Sequence, residues 1–202
     1  MVIAGAGSGK TRVITCRIAY LMENKINPFN ILALTFTNKA AKEMRSRIEK
    51  ITVNTNTNNL WMGTFHSVFS KILRYESEKF NYPSNFTIYD TDDSRSLVKS
   101  IIKELQLDKE IYKPNIIRNR ISALKNHFIR AEEYNQRSEL NHADKIAKRT
   151  EFGRIYQIYE KRCQKSSALD FDDLLLKTYE LLENNPDVLL KYQEKFKYIL
   201  ID

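Results

Sequence analysis

The chain has 202 residues, of which 42% are hydrophobic and 29% are charged, and its mean hydropathy is −0.50. No apolar run approaches the roughly 18 residues that a membrane span needs, and no basic segment precedes an apolar one at the N-terminus. These features argue against a membrane or exported protein, so a cytoplasmic location is expected. The formal net charge of +8 favours a polyanionic partner.

A glycine-rich segment near the N-terminus joins an apolar lead to a helix-like run. Its glycines allow successive backbone N–H groups to curl around an anion, and the helix presents its positive end to the same anion. In a phosphate-binding loop of this kind, the lysine reaches the β- and γ-phosphates of ATP and the next hydroxyl binds Mg²⁺. The loop predicted here consists of Ala4, Gly5, Ala6, Gly7, Ser8, Gly9, Lys10 and Thr11.

A dinucleotide-binding fingerprint is the nearest competitor of this loop. It spaces its glycines as G-x-G-x-x-G, whereas the segment here reads G-x-G-x-G, with Ala4 where a phosphate loop usually opens with glycine. The second predicted strand also ends in Thr35–Asn38, without the acidic residue that binds the ribose. A Rossmann fold is therefore disfavoured.

Apolar runs and helical periodicity predict alternating strands and helices over the first 75 residues, and this β-α-β order implies a parallel sheet. Strands are predicted at 1–4, 31–36, 60–63 and 198–202, and helices at 10–24, 38–48 and 64–75.

About 120 residues of helical period separate the third strand from the fourth, although a crossover between parallel strands needs only a dozen or so. An inserted helical subdomain is therefore predicted at 79–195, within an ATP-binding domain formed by 1–78 and 196–202. Its predicted helices are 91–107, following cap signals at Asp90–Asp93, and 114–128, 130–136, 141–164, 170–184 and 186–195.

The basic surplus is concentrated between Lys113 and Lys165, where 13 Lys and Arg residues face 6 Asp and Glu residues. A solvated helical surface explains charge, but not charge of one sign, so contact with nucleic acid is favoured. The two cysteines, Cys16 and Cys163, and the three histidines lie far apart, and no metal site or disulfide is predicted. Both cysteines are interpreted as packing residues.

Five motifs in a fixed order resemble those of superfamily 1A DNA helicases of the PcrA/UvrD/Rep type, and the resemblance covers the whole chain. They are Gly5–Thr11, Leu34–Met44, Gly63–Ser67, Asp170–Leu175 and Tyr198–Asp202. The resemblance implies a RecA-like P-loop NTPase sheet (domain 1A) with an inserted all-helical subdomain (1B). It also implies an ATP- and Mg²⁺-dependent helicase that moves 3′ to 5′ on single-stranded DNA and unwinds duplex DNA in repair or replication.

The resemblance also implies roles for individual residues. Lys10 and Asp202 match catalytic positions, Thr11 and Asp202 match the Mg²⁺ ligands, and Arg12 matches a basic residue near the nucleotide. Segments that lie under single-stranded DNA in the family correspond to Thr37, Asn38, Lys39, Thr64, Phe65 and His66. An aromatic ring offers bases a sequence-neutral stacking surface, and Asn or Thr side chains bond phosphate oxygens.

Two of these motifs have equally simple structural explanations. Phe65 is compatible with a core position, and the acidic Asp170–Asp173 segment is compatible with a helix start that complements the helix dipole. A two-metal nuclease site at Asp170–Asp173 is disfavoured because no second acidic cluster accompanies it.

The family continues beyond Asp202 with a glutamate that activates water and with a second motor domain (2A/2B) that supplies arginines. This chain alone, expected to be a monomer, is therefore expected to bind ATP weakly and to hydrolyse it negligibly. Two alternatives stay open: a non-catalytic module that binds nucleotide and single-stranded DNA, or the motor part of an AddA/RecB-type helicase–nuclease.

Overall fold

The structure is a computed structural model that describes residues 9–52, 57–80 and 82–202. Its larger sheet consists of parallel strands. Strand β1 (Ile31–Thr35) lies between β2 (Trp61–Thr64) and, much later in the chain, β5 (Tyr198–Ile201). Both pairings are parallel, as predicted. All five residues of β1 are buried, which explains why this segment is a continuous apolar run. The strand predicted at 1–4 lies outside the described residues.

The chain divides into two compact units, and each is described here by itself. The sheet unit comprises Met1–Ile72 and Leu181–Asp202, and the inserted unit comprises Leu73–Glu180. The assignment of residues 79–195 as a subdomain of a RecA-like fold stays a prediction.

Helices accompany the three strands described in the sheet unit. They are α1 (Lys10–Glu23), α2 (Asn38–Ile51), the greater part of α3 (Phe65–Tyr75) and α10 (Pro186–Lys195). The core joins α1 and α2 to the sheet through buried apolar side chains, among them Ile18, Ile31, Met44 and Ile48. Because Met44 and Ile48 are four residues apart, they lie on one face of α2, which matches the predicted amphipathic helix.

The inserted unit is mainly helical. Its helices are α4 (Thr91–Glu104), α5 (Pro114–Asn126), α6 (Ala131–Gln136), α7 (Ser138–Ile146), α8 (Phe152–Lys165) and most of α9 (Phe171–Asn184). The cap signals before α4 are confirmed: Asp90 accepts hydrogen bonds from the backbone of Asp92 and Asp93, and Asp93 accepts one from Asp90. A separate core of buried aromatic and aliphatic residues, which includes Tyr134, Phe152 and Tyr156, packs these helices together.

The prediction that the insertion is all helical is wrong. Strands β3 (Thr87–Tyr89) and β4 (Ala168–Asp170) form a second, two-stranded parallel sheet in which Thr87 pairs with Ala168 and Tyr89 with Asp170. Three residues are too few to show the alternating pattern by which a strand is recognised in sequence. These two segments are strands because they pair with each other, although about eighty residues separate them in the chain.

The single helix predicted at 141–164 is also wrong, because two helices, α7 and α8, occupy this region. The break follows α7, where Lys148 adopts a left-handed backbone with φ of 56°. The Arg149 N–H then donates to the Asp144 carbonyl at 2.7 Å, as at a typical helix C-terminus. Periodicity alone missed this break because no glycine or proline marks it.

In the described part of the chain, each helix is too short or too polar to cross a bilayer.

Removal of the Met44 side chain tests the core of the sheet unit. We expect Met44→Ala to lower the free energy of unfolding by about 2–5 kcal/mol, since Met44 is fully buried. Ile51→Ala, on the same helix but 43% exposed, should cost much less. Urea unfolding monitored by circular dichroism measures both values, and equal losses would contradict the packing of α2 described here.

Candidate nucleotide and nucleic-acid site

The N-terminus of α1 provides the part of the predicted phosphate loop that the structure describes. Gly9 has a left-handed backbone with φ of 83°, a conformation that a residue with a Cβ rarely adopts, and its carbonyl accepts the Val13 N–H at 3.0 Å. No described side chain caps this helix. Its first backbone N–H groups therefore suit an anionic ligand. Residues Ala4, Gly5, Ala6, Gly7 and Ser8 lie outside the described residues.

Thr11 and Asp202 are in direct contact although 191 positions separate them. The Thr11 Oγ1 hydroxyl donates to Asp202 Oδ2 at 2.7 Å. Asp202 is held at the carboxyl end of β5 by its N–H, which donates to the Leu34 carbonyl of β1 at 3.0 Å. The hydroxyl and the carboxylate are both hard oxygen ligands of the kind that Mg²⁺ prefers. Their role as metal ligands stays a prediction.

No group of three or more His, Cys, Asp or Glu side chains suitable for a metal ion occurs within residues 9–52, 57–80 and 82–202. Nucleotide-dependent Mg²⁺ sites in general use only one or two protein oxygens, while phosphates and water supply the other ligands. Thr11 and Asp202 match such a partial set in chemistry and in proximity.

A cavity of about 270 Å³ opens beside this pair of residues. The predicted residues Gly9, Lys10, Thr11 and Arg12 line one side, and Ala40, Glu43 and Arg47 of α2 line the other. Three of these side chains are cationic and one is acidic, so the lining suits a polyphosphate.

The sequence interpretation assigned no role to Glu43 and Arg47. They lie four residues apart on α2 and form an ion pair. The available signal was their helical spacing from Ala40, which places all three residues on one face of the helix. The spacing alone does not show which part of the protein this face of α2 contacts.

The predicted DNA-binding residues surround the carboxyl ends of β1 and β2. Asn38 and Lys39 are exposed, whereas Phe65 and His66 are half-buried and Thr64 is buried. The Thr37 hydroxyl caps α2 by accepting the Ala40 N–H at 3.1 Å. The Thr64 hydroxyl accepts the Ser67 N–H at 3.2 Å in the first turn of α3. Both threonine hydroxyls thus shape the backbone on which the exposed side chains stand.

Phe36 is an aromatic residue that the sequence interpretation left without a role at this edge. Its side chain is 77% exposed, and its ring lies 5.4 Å from that of Phe65, which in turn lies 5.9 Å from Phe69. Packing in a hydrophobic core therefore does not explain why a phenylalanine stands at this position. Phe65 itself is half-buried, and its ring contacts the rings of both Phe36 and Phe69.

The basic stretch Lys113–Lys165 is a weaker phosphate-binding candidate than its sequence charge indicates. Most of its cations form ion pairs, several of them with carboxylates outside the stretch, such as Glu104, Glu110 and Glu180. The paired cations are Lys113, Arg120, Lys125, Arg130, Arg137, Arg149, Arg154 and Arg162. The folded unit therefore neutralises much of a surplus that a linear count assigns to a partner.

The acidic segment Asp170–Asp173 serves the structure of the inserted unit. Asp170 Oδ1 accepts the Asp173 N–H at 2.8 Å, and Asp173 Oδ2 accepts the Asp170 N–H at 3.2 Å, which starts α9 as predicted. The buried Lys125 ammonium lies 2.7 Å from Asp170 and 2.8 Å from Asp173, and Tyr159 donates its hydroxyl to Asp170 at 2.8 Å. The lysine was not foreseen because it lies on another helix.

The charges of this buried group determine how each member titrates. Burial alone lowers the pKa of Lys125, but Asp173 and Asp170 outweigh burial and hold the Lys125 pKa well above its ordinary value. Burial raises the pKa of Asp170 as well, yet the attraction of Lys125 leaves it below the ordinary value. Burial and the neighbouring Asp170 charge raise the pKa of Asp173 to about 6, despite the attraction of Lys125.

The two cysteines differ in environment. Cys163 is buried in the core of the inserted unit, and burial raises the pKa of its thiol to about 12, so it fits the packing interpretation. Cys16 is exposed on α1, so the packing interpretation is wrong for this residue.

The chain matches the family model described as "UvrD/REP helicase N-terminal domain" over residues 1–202. It is similar to a protein named "ATP-dependent DNA helicase PcrA" from Staphylococcus epidermidis, with 41% identity over the whole of this chain. It is also similar to a protein of the same name from Staphylococcus aureus, with 40% identity over the same span. In both cases the chain spans 27% of the length of the relative.

The buried carboxylates of the inserted unit predict a dependence of stability on pH. The pKa of Asp173 is higher in the folded chain than its ordinary value of about 3.8, so its contribution to stability is complete below about pH 4 and is lost as the pH rises through 6. In Asp173→Asn, whose amide resembles the protonated carboxyl, this loss should be absent. The wild-type free energy of unfolding should therefore fall relative to the variant by about 2 kcal/mol between pH 4 and pH 7.

Urea unfolding at a series of pH values measures this difference. Asp172→Asn, one residue away but only half-buried, is the matched control and should show no such trend. A constant difference between wild type and Asp173→Asn across this range would contradict the environment described for Asp173.

Proposed function

Since this chain belongs to the UvrD/REP helicase family through its N-terminal domain, we propose that the sheet unit is the first, RecA-like half of an ATP-driven DNA motor. The observation that carries the proposal is the contact between Thr11 and Asp202 at the carboxyl edge of a parallel sheet. Ligands of open α/β sheets bind at this edge. The inserted unit would be the subdomain called 1B in this family.

The ATP triphosphate would occupy the cavity beside α1. The backbone N–H groups at the start of α1 and the Lys10 ammonium would bind phosphate oxygens, while Thr11 and Asp202 would hold Mg²⁺. When bound, the ion would neutralise negative charge on the phosphates. Arg12 and Arg47 add positive charge to the cavity wall, and Glu43 orients Arg47 through their ion pair.

Single-stranded DNA would cross the same edge of the sheet over Phe36 and Phe65. The exposed Phe36 ring, supported by Phe65, provides a surface on which a base of any identity can stack. Asn38, Lys39 and His66 lie beside this pair in the chain, and they would contact the sugar–phosphate backbone. Recognition would then be independent of sequence, as a translocating motor requires.

The complete reaction would need the remainder of a longer protein. In the motor we propose, a second domain closes over the ATP cavity on binding and reopens after hydrolysis, which moves the protein 3′ to 5′ and separates duplex DNA during repair or replication. The relatives named as ATP-dependent DNA helicases are nearly four times as long as this chain, which fits such an arrangement.

Replacement of Thr11 tests the nucleotide site. Thr11→Ala should weaken binding of Mg·ATP about 10- to 100-fold, because a hydrogen bond or metal contact to a charged group is lost. Thr11→Ser, which keeps the hydroxyl, should bind nearly as well as wild type. Titration of a fluorescent ATP analogue with Mg²⁺ and with EDTA measures both affinities.

The Mg²⁺ dependence decides the interpretation of that experiment. Wild type should lose affinity in EDTA, and Thr11→Ala should lose much less. Equal Mg²⁺ dependence in Thr11→Ala and wild type would remove Thr11 from the metal site.

Replacement of Phe36 tests the stacking surface. Phe36→Ala should weaken binding of an oligo(dT) strand by about 1–3 kcal/mol, the contribution of one stacked base, without unfolding the chain because the ring is exposed. Phe29→Ala removes another exposed phenylalanine of the sheet unit and should have little effect. Fluorescence anisotropy measures the affinity, and wild-type binding by Phe36→Ala would refute the stacking role.

A further inference from the structure

The inserted unit contains a cavity of about 300 Å³ that shares no residue with the ATP and DNA sites proposed above. Helix α8 forms one wall, where Gln157, Glu160, Lys161 and Gln164 recur at helical spacing and therefore lie on one face. Tyr82, the start of α6 and part of α9 complete the lining. A concave site with several convergent polar groups is the usual form of a small-molecule pocket.

Some charged groups of this lining already neutralise each other. Lys177 Nζ lies 3.2 Å from Glu180 Oε2, and the Arg130 guanidinium donates to both oxygens of Glu180. Asp173 belongs to the buried group that contains Lys125. The first group carries one excess positive charge and the buried group one excess negative charge, so the two balance.

Glu160 is the charged group of the lining that most lacks a partner. It is half-buried, and its one hydrogen bond within the described part of the chain comes from the Ala131 N–H at a long 3.4 Å. Burial raises the pKa of Glu160, although Lys125 and Arg130 attract its negative charge. A carboxylate withdrawn from water with one weak hydrogen bond is unfavourable. A cation in the cavity would supply the missing partner.

The neighbouring groups also suit an organic cation. Glu132 adds a second carboxylate at an exposed position, and Lys161 is the opposing charge. Neither side chain forms an ion pair with a residue that the structure describes, so the unpaired charge of the lining is negative overall. The amide oxygens of Gln157 and Gln164 can accept hydrogen bonds, and the Tyr82 ring offers a face to which a cation is attracted.

We propose that this cavity binds an alkylammonium or guanidinium group, with Glu160 as its counter-ion. Glu132, the two glutamines and the Tyr82 ring would surround the cationic group. The inference does not depend on the proposed ATP and DNA sites, because no residue is common to them, and it assigns to the inserted unit a ligand of opposite charge to DNA.

Titration calorimetry of the full chain with agmatine, which carries both kinds of cationic group, tests the proposal. Wild type should bind agmatine, and Glu160→Gln should bind it at least about 10-fold more weakly, because a hydrogen bond to a charged group is lost. Glu139→Gln removes an exposed glutamate of α7 outside the lining and, as the matched control, should keep the wild-type affinity. Circular dichroism verifies that the variants are folded.

Replacement of Tyr82 provides a second test that leaves all carboxylates in place. Tyr82→Leu should weaken agmatine binding about 2- to 5-fold, because the attraction between the cation and the aromatic ring is lost. Tyr82→Phe, which keeps a ring, should bind agmatine as wild type does.

Replacement of Lys161 distinguishes a cation from an anion as the ligand. Lys161→Ala should strengthen agmatine binding by up to about fivefold, because an exposed like charge is removed. Inorganic phosphate should not bind. If inorganic phosphate binds to wild type and Lys161→Ala weakens its binding, the cavity is an anion site and the proposal is wrong.

The source of the cationic group is decided by comparison with N-acetylarginine amide. Tighter binding of agmatine supports a free amine, whereas tighter binding of N-acetylarginine amide supports a basic side chain of a partner protein. Both results should depend on Glu160. If neither compound binds to wild type at millimolar concentration, or if wild type and Glu160→Gln bind equally well, the cation site is refuted.

Discussion

The parallel pairing of β5 with β1 is the constraint on which the candidate site depends. It brings Asp202 to the end of a strand whose neighbour leads into α2, and it allows the Thr11 hydroxyl to reach the carboxylate at 2.7 Å. The carboxyl ends of parallel strands lie at one edge of the sheet. The residues that follow β1, β2 and β5 therefore lie close together at this edge. The contact between Thr11 and Asp202 joins positions 191 residues apart. Strands β1 and β5 pair in parallel although the inserted unit separates them in the sequence.

Helix α2 is the element that serves two cavities. Ala40, Glu43 and Arg47 line the cavity proposed for the nucleotide, while Ala41, Lys42 and Arg45 line a second cavity. Both sets follow the helical period, and the buried Met44 and Ile48 hold the helix on the sheet between them.

The inserted unit uses its charges differently. Lys125 lies between two carboxylates in a buried group, and most other cations of the basic stretch pair with nearby acids. Removal of one partner from such a buried group would strand an uncompensated charge. The charge available to a ligand is therefore the charge left after internal pairing.

Sequence patterns predicted the elements with strong local signals. The buried run of β1, the amphipathic α2 and the capped start of α4 lie where expected, because apolar periodicity and cap residues act over a few neighbouring positions. The three-residue strands β3 and β4 and the break between α7 and α8 were missed. Each depends on a partner or a backbone turn that no short window contains.

The amino-acid sequence by itself determined the family and the parallel order of the sheet, and it predicted the phosphate-loop chemistry of Lys10 and Thr11, since these inferences depend on motif spacing and on the order of apolar runs. Only the tertiary structure decided the rest: the contact of Thr11 with Asp202, the exposure of Phe36 beside Phe65, and the pairing of Arg120 and Arg162 with acidic residues. Distances and burial across the fold are set by packing between segments far apart in the chain. A sequence motif indicates which side chains have suitable chemistry, and the folded structure determines which of these side chains are in contact.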